Sequence, residues 1–568
     1  MSFLPHIDTR DELADLLRIP LKKLTHLLYV EGVDNLYRSF DIPKKSGGER
    51  HINAPTDELK GIQRKLADAL WEHQADIWRN KNIKPNISHA FEQGKSIITN
   101  AKIHKNKRYV LNMDLENFFD TFHFGRVRGF FEKNNNFKLP IEMATVIAQL
   151  ACYQGCLPQG APSSPIITNL ICQILDNRLL KIAKSYKLDY SRYADDITFS
   201  TNNKEFIAQS PIFIEELTKE IERAGFKINN KKTKLQYRDS RQEVTGLVVN
   251  KKISVDRRYY KATRAMAHSL YSTGSFEIDG EVGTTNQLEG RFSFLNQIER
   301  HNNKTDRKDH HSGNLNAREE QYRKFLFYKY FFMNDKPLIV TEGKTDIAYI
   351  KAALKNLYAD YPDLISKVGP SEFTFKVTFL RRTQRLRYFF GLGLDGADTI
   401  KRIYYFYRGV YENGNKHPNY AEYFERISGV QSKNPTIFLF DNEISNKEKP
   451  LSKFLTAIRI KDNHKADLQK NLYINITGNL YLLTNPIPDT CKEAEIEDLF
   501  DDSTRAHVIA GKKFSPDGSF DNSLYYGKEI FSKYIFGNYE TIDFSGFKPL
   551  LDSLNTIAKE YGKQHSPI

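Results

Sequence analysis

At 568 residues and 40% apolar composition, the chain is too long for a single hydrophobic core and is expected to fold as two or more domains. No stretch approaches the continuous apolar length of a membrane span, and the first residues lack the basic-then-apolar layout of a secretory leader, so a cytoplasmic protein with no membrane partner is expected. A net charge of +14 favours a polyanionic partner, the 31 tyrosines and 38 phenylalanines suit stacking on unpaired bases, and four cysteines without a paired Cys-x-x-Cys pattern argue against a zinc ribbon.

From the N-terminus, Thr9-Arg10-Asp11-Glu12 is a capping box, and Leu13, Leu16 and Leu17 follow at helical spacing, which predicts a short packing helix. Residues 40–55 read as a basic strand, a Gly47-Gly48 turn and a second strand, and a helix over 57–71 with Leu59, Ile62, Leu66 and Leu70 on one face should brace that hairpin. Residues 88–104 read as a turn and short helix. Val110-Leu111-Asn112-Met113 is an apolar strand that delivers Asp114, a helix is expected over 166–180, and residues 191–200 read as a hairpin with Asp195 and Asp196 near its turn. A lone Asp-Asp pair is ordinarily a solvated turn. Here the flanking strands and the upstream acid point to a metal cage of Asp114, Asp195 and Asp196, because polymerase chemistry needs carboxylates from separate strands to hold two divalent ions.

In order and spacing, the Asp114 strand, Leu157-Pro158-Gln159-Gly160 and Tyr193-Ala194-Asp195-Asp196 resemble the palm motifs of reverse transcriptases. Asn100-Ala101 with His104 is similar to the NAxxH element of bacterial retron reverse transcriptases, and Val244-Thr245-Gly246 to their VTG element. The resemblance implies an α+β right-hand polymerase of fingers, palm and thumb over residues 1–300, with two Mg²⁺ ions at the three aspartates. It implies that Lys44, Lys45 and Arg50 neutralise the incoming deoxynucleoside triphosphate, and that Phe119 lies against the sugar 2′ position and rejects ribonucleotides. Gln159 and Gly160 are expected near the primer–template junction, while Lys232, with Lys231 as competitor, would help pyrophosphate leave. Asn100, Ala101, His104, Val244, Thr245 and Gly246 are expected at the RNA. The implied activity copies part of a cognate non-coding RNA into single-stranded DNA that stays branched to it (msDNA), primed by an RNA 2′-hydroxyl; an intron-like lineage is the alternative.

The run Arg257-Arg258-Tyr259-Tyr260-Lys261 and the helix through Leu288 and Phe292 resemble a retron thumb. Residues 301–316 are polar enough to read as a linker, followed by an aromatic-rich helix, so 301–334 is taken as linker and connecting helix. Residues 335–568 hold a second chemistry. Pro337-Leu338-Ile339-Val340-Thr341 is a buried-type strand ending in Glu342-Gly343, a helix follows over 347–354, and Thr436-Ile437-Phe438-Leu439-Phe440 is another such strand, ending in Asp441-Asn442-Glu443. Acids at the carboxyl ends of parallel strands face the crevice where α/β domains bind ligands, so Glu342, Asp441 and Glu443 form a second candidate metal set.

That layout resembles the α/β Toprim domain of topoisomerases, primases and certain nucleases, with Glu443 where many members carry Asp. It implies a Mg²⁺- or Mn²⁺-dependent nuclease acting on a nucleic-acid target, an effector in anti-phage defence, with Glu497 and Asp498 as further acids; a non-catalytic nucleic-acid scaffold is the alternative. Gly391-Leu392-Gly393-Leu394-Asp395-Gly396 satisfies GxGxxG, but residues 386–390 make a poor buried strand, and a loop without a dinucleotide is expected. Residues 515–568 carry no chemical motif and are expected to pack on the second domain or serve a homo-oligomer.

Overall fold

The computed structural model describes residues 7–43, 47–305, 313–394, 396, 400–412, 414–488, 492–516 and 521–564. The chain gathers into two compact units that divide between Arg257 and Arg258.

The first unit opens with the helix Arg10–Leu16. Its capping box forms as expected, with the Glu12 amide donating to Thr9 Oγ1 at 3.3 Å and the Thr9 amide donating to Glu12 Oε2 at 3.1 Å. Strands β1 (Tyr37–Pro43) and β2 (Glu49–Pro55) pair antiparallel from Tyr37 opposite Pro55 to Pro43 opposite Glu49. The helix after them runs over Asp57–Asn80, nine residues beyond the expected end, because His73 and Gln74 continue its buried face. Polar residues there disguise the period.

The palm is a four-stranded antiparallel sheet in the order β4-β5-β3-β6, formed by β3 (Tyr109–Asp114), β4 (Asp189–Tyr193), β5 (Asp196–Thr201) and β6 (Lys234–Tyr237). Alternation along each strand sorts the side chains by face. Leu111 lies opposite Phe199 and Met113 opposite Ile197, and these pairs enter the core with Leu170, Leu175, Phe213 and Leu217 from the helices Ser164–Ser185 and Phe206–Arg223. The other face carries the polar pairs Asn112 with Thr198 and Asp114 with Asp196. One register therefore fixes both the core and the acids.

In the second unit the helices Arg257–Thr273 and Thr285–Thr305, expected as the thumb, are followed by Ala317–Phe327 and a π-helical turn over Tyr328–Phe332. Phe292 stacks on Tyr322 at 5.5 Å, and Phe325, Phe327 and Phe331 are fully buried. Of the stretch read as a linker, residues 301–305 continue a helix and 306–312 lie outside the described residues.

The α/β part of this unit is a five-stranded sheet in the order β8-β7-β9-β11-β10, from β7 (Leu338–Val340), β8 (Thr378–Phe379), β9 (Thr436–Phe440), β10 (Tyr473–Thr477) and β11 (Leu480–Thr484). All neighbours are parallel except β10 against β11. Every residue of β7, β9 and β11 is buried, as expected for central strands covered on both faces. The C-terminal helices Lys528–Gly537 and Lys548–Gln564 complete this core through Phe531, Ile535, Leu550, Leu554 and Tyr561. Residues 384–390, before the GxGxxG run, form a helix ending at a left-handed Gly391, so no strand precedes those glycines; Asp395 lies outside the described residues.

Candidate active sites

Three acidic residues lie near one edge of the palm sheet. Asp114 ends β3 directly opposite Asp196, which opens β5. The Leu115 amide donates to the Asp195 carbonyl at 3.0 Å, which ties the hairpin turn to the strand beside it. Ala194 turns the chain with a positive φ of 55°. Burial raises Asp195, with the charge of Asp114 adding to it, and Lys232 and Arg50 oppose the shift. Asp196 is pushed up to about 7 by burial and then by Asp195 and Asp114. Such a cluster is short of positive charge, and its oxygen-only donors fit a hard divalent cation.

Lys232 supplies part of that charge. Its Nζ lies 3.0 and 2.9 Å from the two oxygens of Asp114, and Asn229 Nδ2 donates to the same carboxylate at 3.2 Å. This distinguishes Lys232 from Lys231. Of the fingers residues, Arg50 is exposed on β2 and near enough to favour the charge on Asp195, while Lys44 and Lys45 lie outside the described residues. Phe119 is half-buried and meets Phe118 edge-on at 5.5 Å. The Asn53 amide donates to the Gln159 carbonyl at 2.9 Å. Gly160 follows with φ 127°, and a Cβ there would sit 2.7 Å from the Asn53 carbonyl oxygen, so its close approach is to the fingers hairpin.

The residues expected at the RNA fall in two groups. Asn100, Ala101, His104 and Val244 are fully buried in the fold. Asn100 and His104 are polar because their side chains meet Ser191 and Ser200 on the polar face of the palm sheet. Thr245 is half-buried and Gly246 exposed, both with positive φ at a tight turn.

In the second unit β7 leads towards β8 on one side, whereas β9 leads towards β11 on the other, so the carboxyl ends of β7 and β9 border a topological switch point. Glu342 and Asp441 both emerge there, and the Asp441 amide donates to Glu342 Oε1 at 2.9 Å. Asp441 Oδ1 accepts from Asn485 Nδ2 at 2.8 Å and from the Ile496 amide at 3.0 Å. Glu342 is raised to about 8 by burial, with Asp346 and Glu443 adding to the shift. Asp441 is pushed well up by burial and by Glu342, Asp346, Glu497 and Glu495. Between Asp441 and Glu443, Asn442 turns inward to donate to the Asn485 carbonyl at 2.8 Å.

Asp346 was not marked in the sequence. It stands in the first turn of the helix Lys344–Asn356, four residues after Glu342, where its carboxylate accepts from the Gly343 amide at 2.9 Å, and an acid so close behind the strand-end Glu342 was the available signal. Glu497 is buried and, with Glu495, pairs to Lys528 at 3.0 and 2.8 Å, whereas Asp498 caps its own turn and pairs with Arg505 at 3.1 Å. Lys449 pairs with Glu443. A cleft of about 530 Å³ is lined by Glu443, Lys449, Glu495, Glu497, Asp498 and Arg505. Among the described residues, no three His, Cys, Asp or Glu side chains are drawn together as ligands are around an ion. In both units lysines engage part of the acids instead.

Residues 42–256 match the family model described as reverse transcriptase (RNA-dependent DNA polymerase), which ends where the first compact unit ends. The chain is 32% identical over 304 residues to the retron Ec86 reverse transcriptase of Escherichia coli, a match spanning 52% of this chain and 86% of that one. It is 31% identical to the retron Mx162 reverse transcriptase of Myxococcus xanthus, over 52% of this chain and 65% of the relative. With the retron Ec48 reverse transcriptase of Escherichia coli the match is 26%, over 62% of this chain and 82% of the relative. No described helix is long and apolar enough to cross a membrane.

Proposed function

The chain belongs to the retron reverse transcriptases, a family of RNA-directed DNA polymerases, and from that premise we propose that it copies a cognate non-coding RNA into branched, RNA-linked single-stranded DNA and carries a Toprim-type nuclease as effector. The observation behind the polymerase site is the pairing of Asp114 with Asp196 across adjacent strands, with Asp195 in the turn that joins β4 to β5. Asp114, Asp195 and Asp196 would hold Mg²⁺, which when bound lowers the pKa of the priming hydroxyl and neutralises the triphosphate. Lys232, whose Nζ lies beside Asp114, would donate a proton or charge to the departing pyrophosphate. Arg50 would meet the triphosphate from the fingers, with Lys44 and Lys45, and Phe119 would exclude a 2′-hydroxyl.

The effector reading rests on Glu342 and Asp441 at the switch point of a parallel sheet, with Glu443 two residues on. An acid-lined cleft repels a phosphodiester unless cations intervene, which is the condition a metal-dependent nuclease meets. In this proposal the protein serves bacterial anti-phage defence, with the RNA–DNA product restraining the nuclease. The test is metal-dependent cleavage of single- and double-stranded DNA and RNA by the purified protein, beside Glu342→Ala. Cleavage with Mg²⁺ or Mn²⁺ that Glu342→Ala abolishes, while DNA synthesis persists, supports the reading.

A second reading draws on Lys449 and Lys528, which already neutralise Glu443, Glu495 and Glu497. With its acids so paired, the second unit would be a non-catalytic platform for nucleic acid. No metal-dependent cleavage of any of these substrates, with nucleic-acid binding retained, would favour it.

A further inference from the structure

Behind Asp114 and Asp196 the same sheet face carries Asn112 opposite Thr198 and then Val110 opposite Ser200, while Ser191 on β4 lies opposite Thr198. Ser191 and Ser200 are buried. An unpaired buried hydroxyl costs about 1–3 kcal/mol, so this face needs a polar cover. The helix Ile97–Ile103 provides it, through Asn100 and the residue that follows its end, His104.

His104 Nδ1 lies 2.7 Å from Ser200 Oγ, and Nε2 lies 2.7 Å from Ser191 Oγ. Ser191 Oγ is in turn 2.5 Å from Asn100 Oδ1, and Asn100 Nδ2 is 3.5 Å from Thr245 Oγ1. The protons in this chain can be assigned. Asn100 Oδ1 can only accept, so Ser191 gives it the hydroxyl proton, and Ser191 Oγ must then accept from Nε2–H of the imidazole. A neutral ring has its lone pair on Nδ1, which accepts from the Ser200 hydroxyl. One tautomer satisfies every member.

We propose that His104, held by Asn100, is a positioning residue that clamps β4 to β5 and so sets where the turn places Asp195 and Asp196. Ser191 lies four residues before Asp195 and Ser200 four after Asp196, so the clamp grips both strands about 13 Å from the carboxylates. Its partners are 87 and 96 residues away in sequence. Thr245 joins the same chain through Asn100, which gives the paired NAxxH and VTG elements one physical connection.

The test uses the full-length protein, a primed RNA template and single-nucleotide incorporation, with His104→Phe, Ser200→Ala and the double variant. His104→Phe keeps ring volume and loses both bonds, and Ser200→Ala removes only the donor to Nδ1. The expected result is a maximal incorporation rate lower by about tenfold in His104→Phe and severalfold in Ser200→Ala. The KM for the nucleotide and the Kd for the template should stay within about twofold, and the double variant should be no slower than His104→Phe. A weaker template Kd with an unchanged rate per bound complex would overturn the proposal in favour of RNA contact, and an unchanged rate in folded His104→Phe would reduce the residue to packing. Should His104→Phe not fold, Ser200→Ala decides alone, and an unchanged rate there overturns the clamp. Nitrogen-15 spectra of labelled histidine should give the Nε2–H tautomer for His104 in the wild type; the Nδ1–H form would contradict the proton order.

Discussion

Replacing Asp176 with Ala should destabilise the first unit more than any surface change can, because it strands a buried charge. Arg192 is fully buried on β4, and Asp176 holds it in a two-point ion pair, Nε to Oδ1 and Nη2 to Oδ2, both at 2.8 Å. Arg192 Nη1 also donates to the Ala194 carbonyl at 3.1 Å, in the turn that carries Asp195, and Tyr190 donates to Asp176 at 2.8 Å. Breaking a buried pair by removing one partner costs about 3–5 kcal/mol. Glu92 lies close enough to feel Arg192 and is raised to about 7 by burial, so its ionisation would offset part of that loss and places the cost near the lower end. For a unit of this size about 3 kcal/mol lowers the melting temperature by roughly 6–12 °C. The assay is urea and thermal unfolding of the full-length protein followed by a first-unit probe, with DNA synthesis measured alongside. Asp176→Leu with Arg192→Met should recover much of the stability, since the pair is then replaced by apolar volume. A cost below about 1 kcal/mol for Asp176→Ala would refute the reasoning.

Gly160→Ala should impair nucleotide addition without unfolding the palm, because its Cβ would strike the Asn53 carbonyl and separate fingers from palm; strain of about 1–3 kcal/mol is expected, read as a raised KM for the nucleotide. Lys232→Met should slow nucleotide addition while changing stability by less than about 1 kcal/mol, since the lysine is largely exposed; a large loss of stability would contradict this. Burial lowers His104 to about 3 and His89 to about 4, whereas the unfolded imidazoles protonate near 6.5. Between those values the unfolded state binds more protons, so their contribution is present above about pH 6.5 and falls with acid by up to about 1.4 kcal/mol per pH unit for each ring. Acids raised by burial act with the opposite sign, so the check is the urea stability of wild type minus that of His104→Phe at pH 7.5 and 5.0. A difference that does not shrink with acid would contradict the assignment.

The palm was legible because one strand register does two jobs. Leu111 to Asp114 and the run after Asp195 alternate core residues with polar ones, so the pattern that buries Leu111 and Phe199 also pairs Asp114 with Asp196. The strand Thr436–Phe440 was equally readable, as a short apolar run ending in acids. His104 was not, because its partners are set by tertiary contacts, and a motif resemblance carries no information about which way a side chain faces. Lys231 and Lys232 differ in sequence only by one position; the turn held by the Asn229 amide on the Asp114 carbonyl decides which one reaches the acid. Asp346 looks in sequence like an ordinary acidic residue in the first turn of a helix, and its influence on Glu342 and Asp441 marks it as part of the site.

The most direct measurement is to purify the protein from its native locus, extract the bound nucleic acid and resolve it with and without ribonuclease, beside Asp195→Ala with Asp196→Ala. The expected product is a discrete single-stranded DNA that shifts after ribonuclease and is missing from the double variant. RNA alone, or DNA indifferent to ribonuclease, from a preparation that extends a primed RNA template would contradict it.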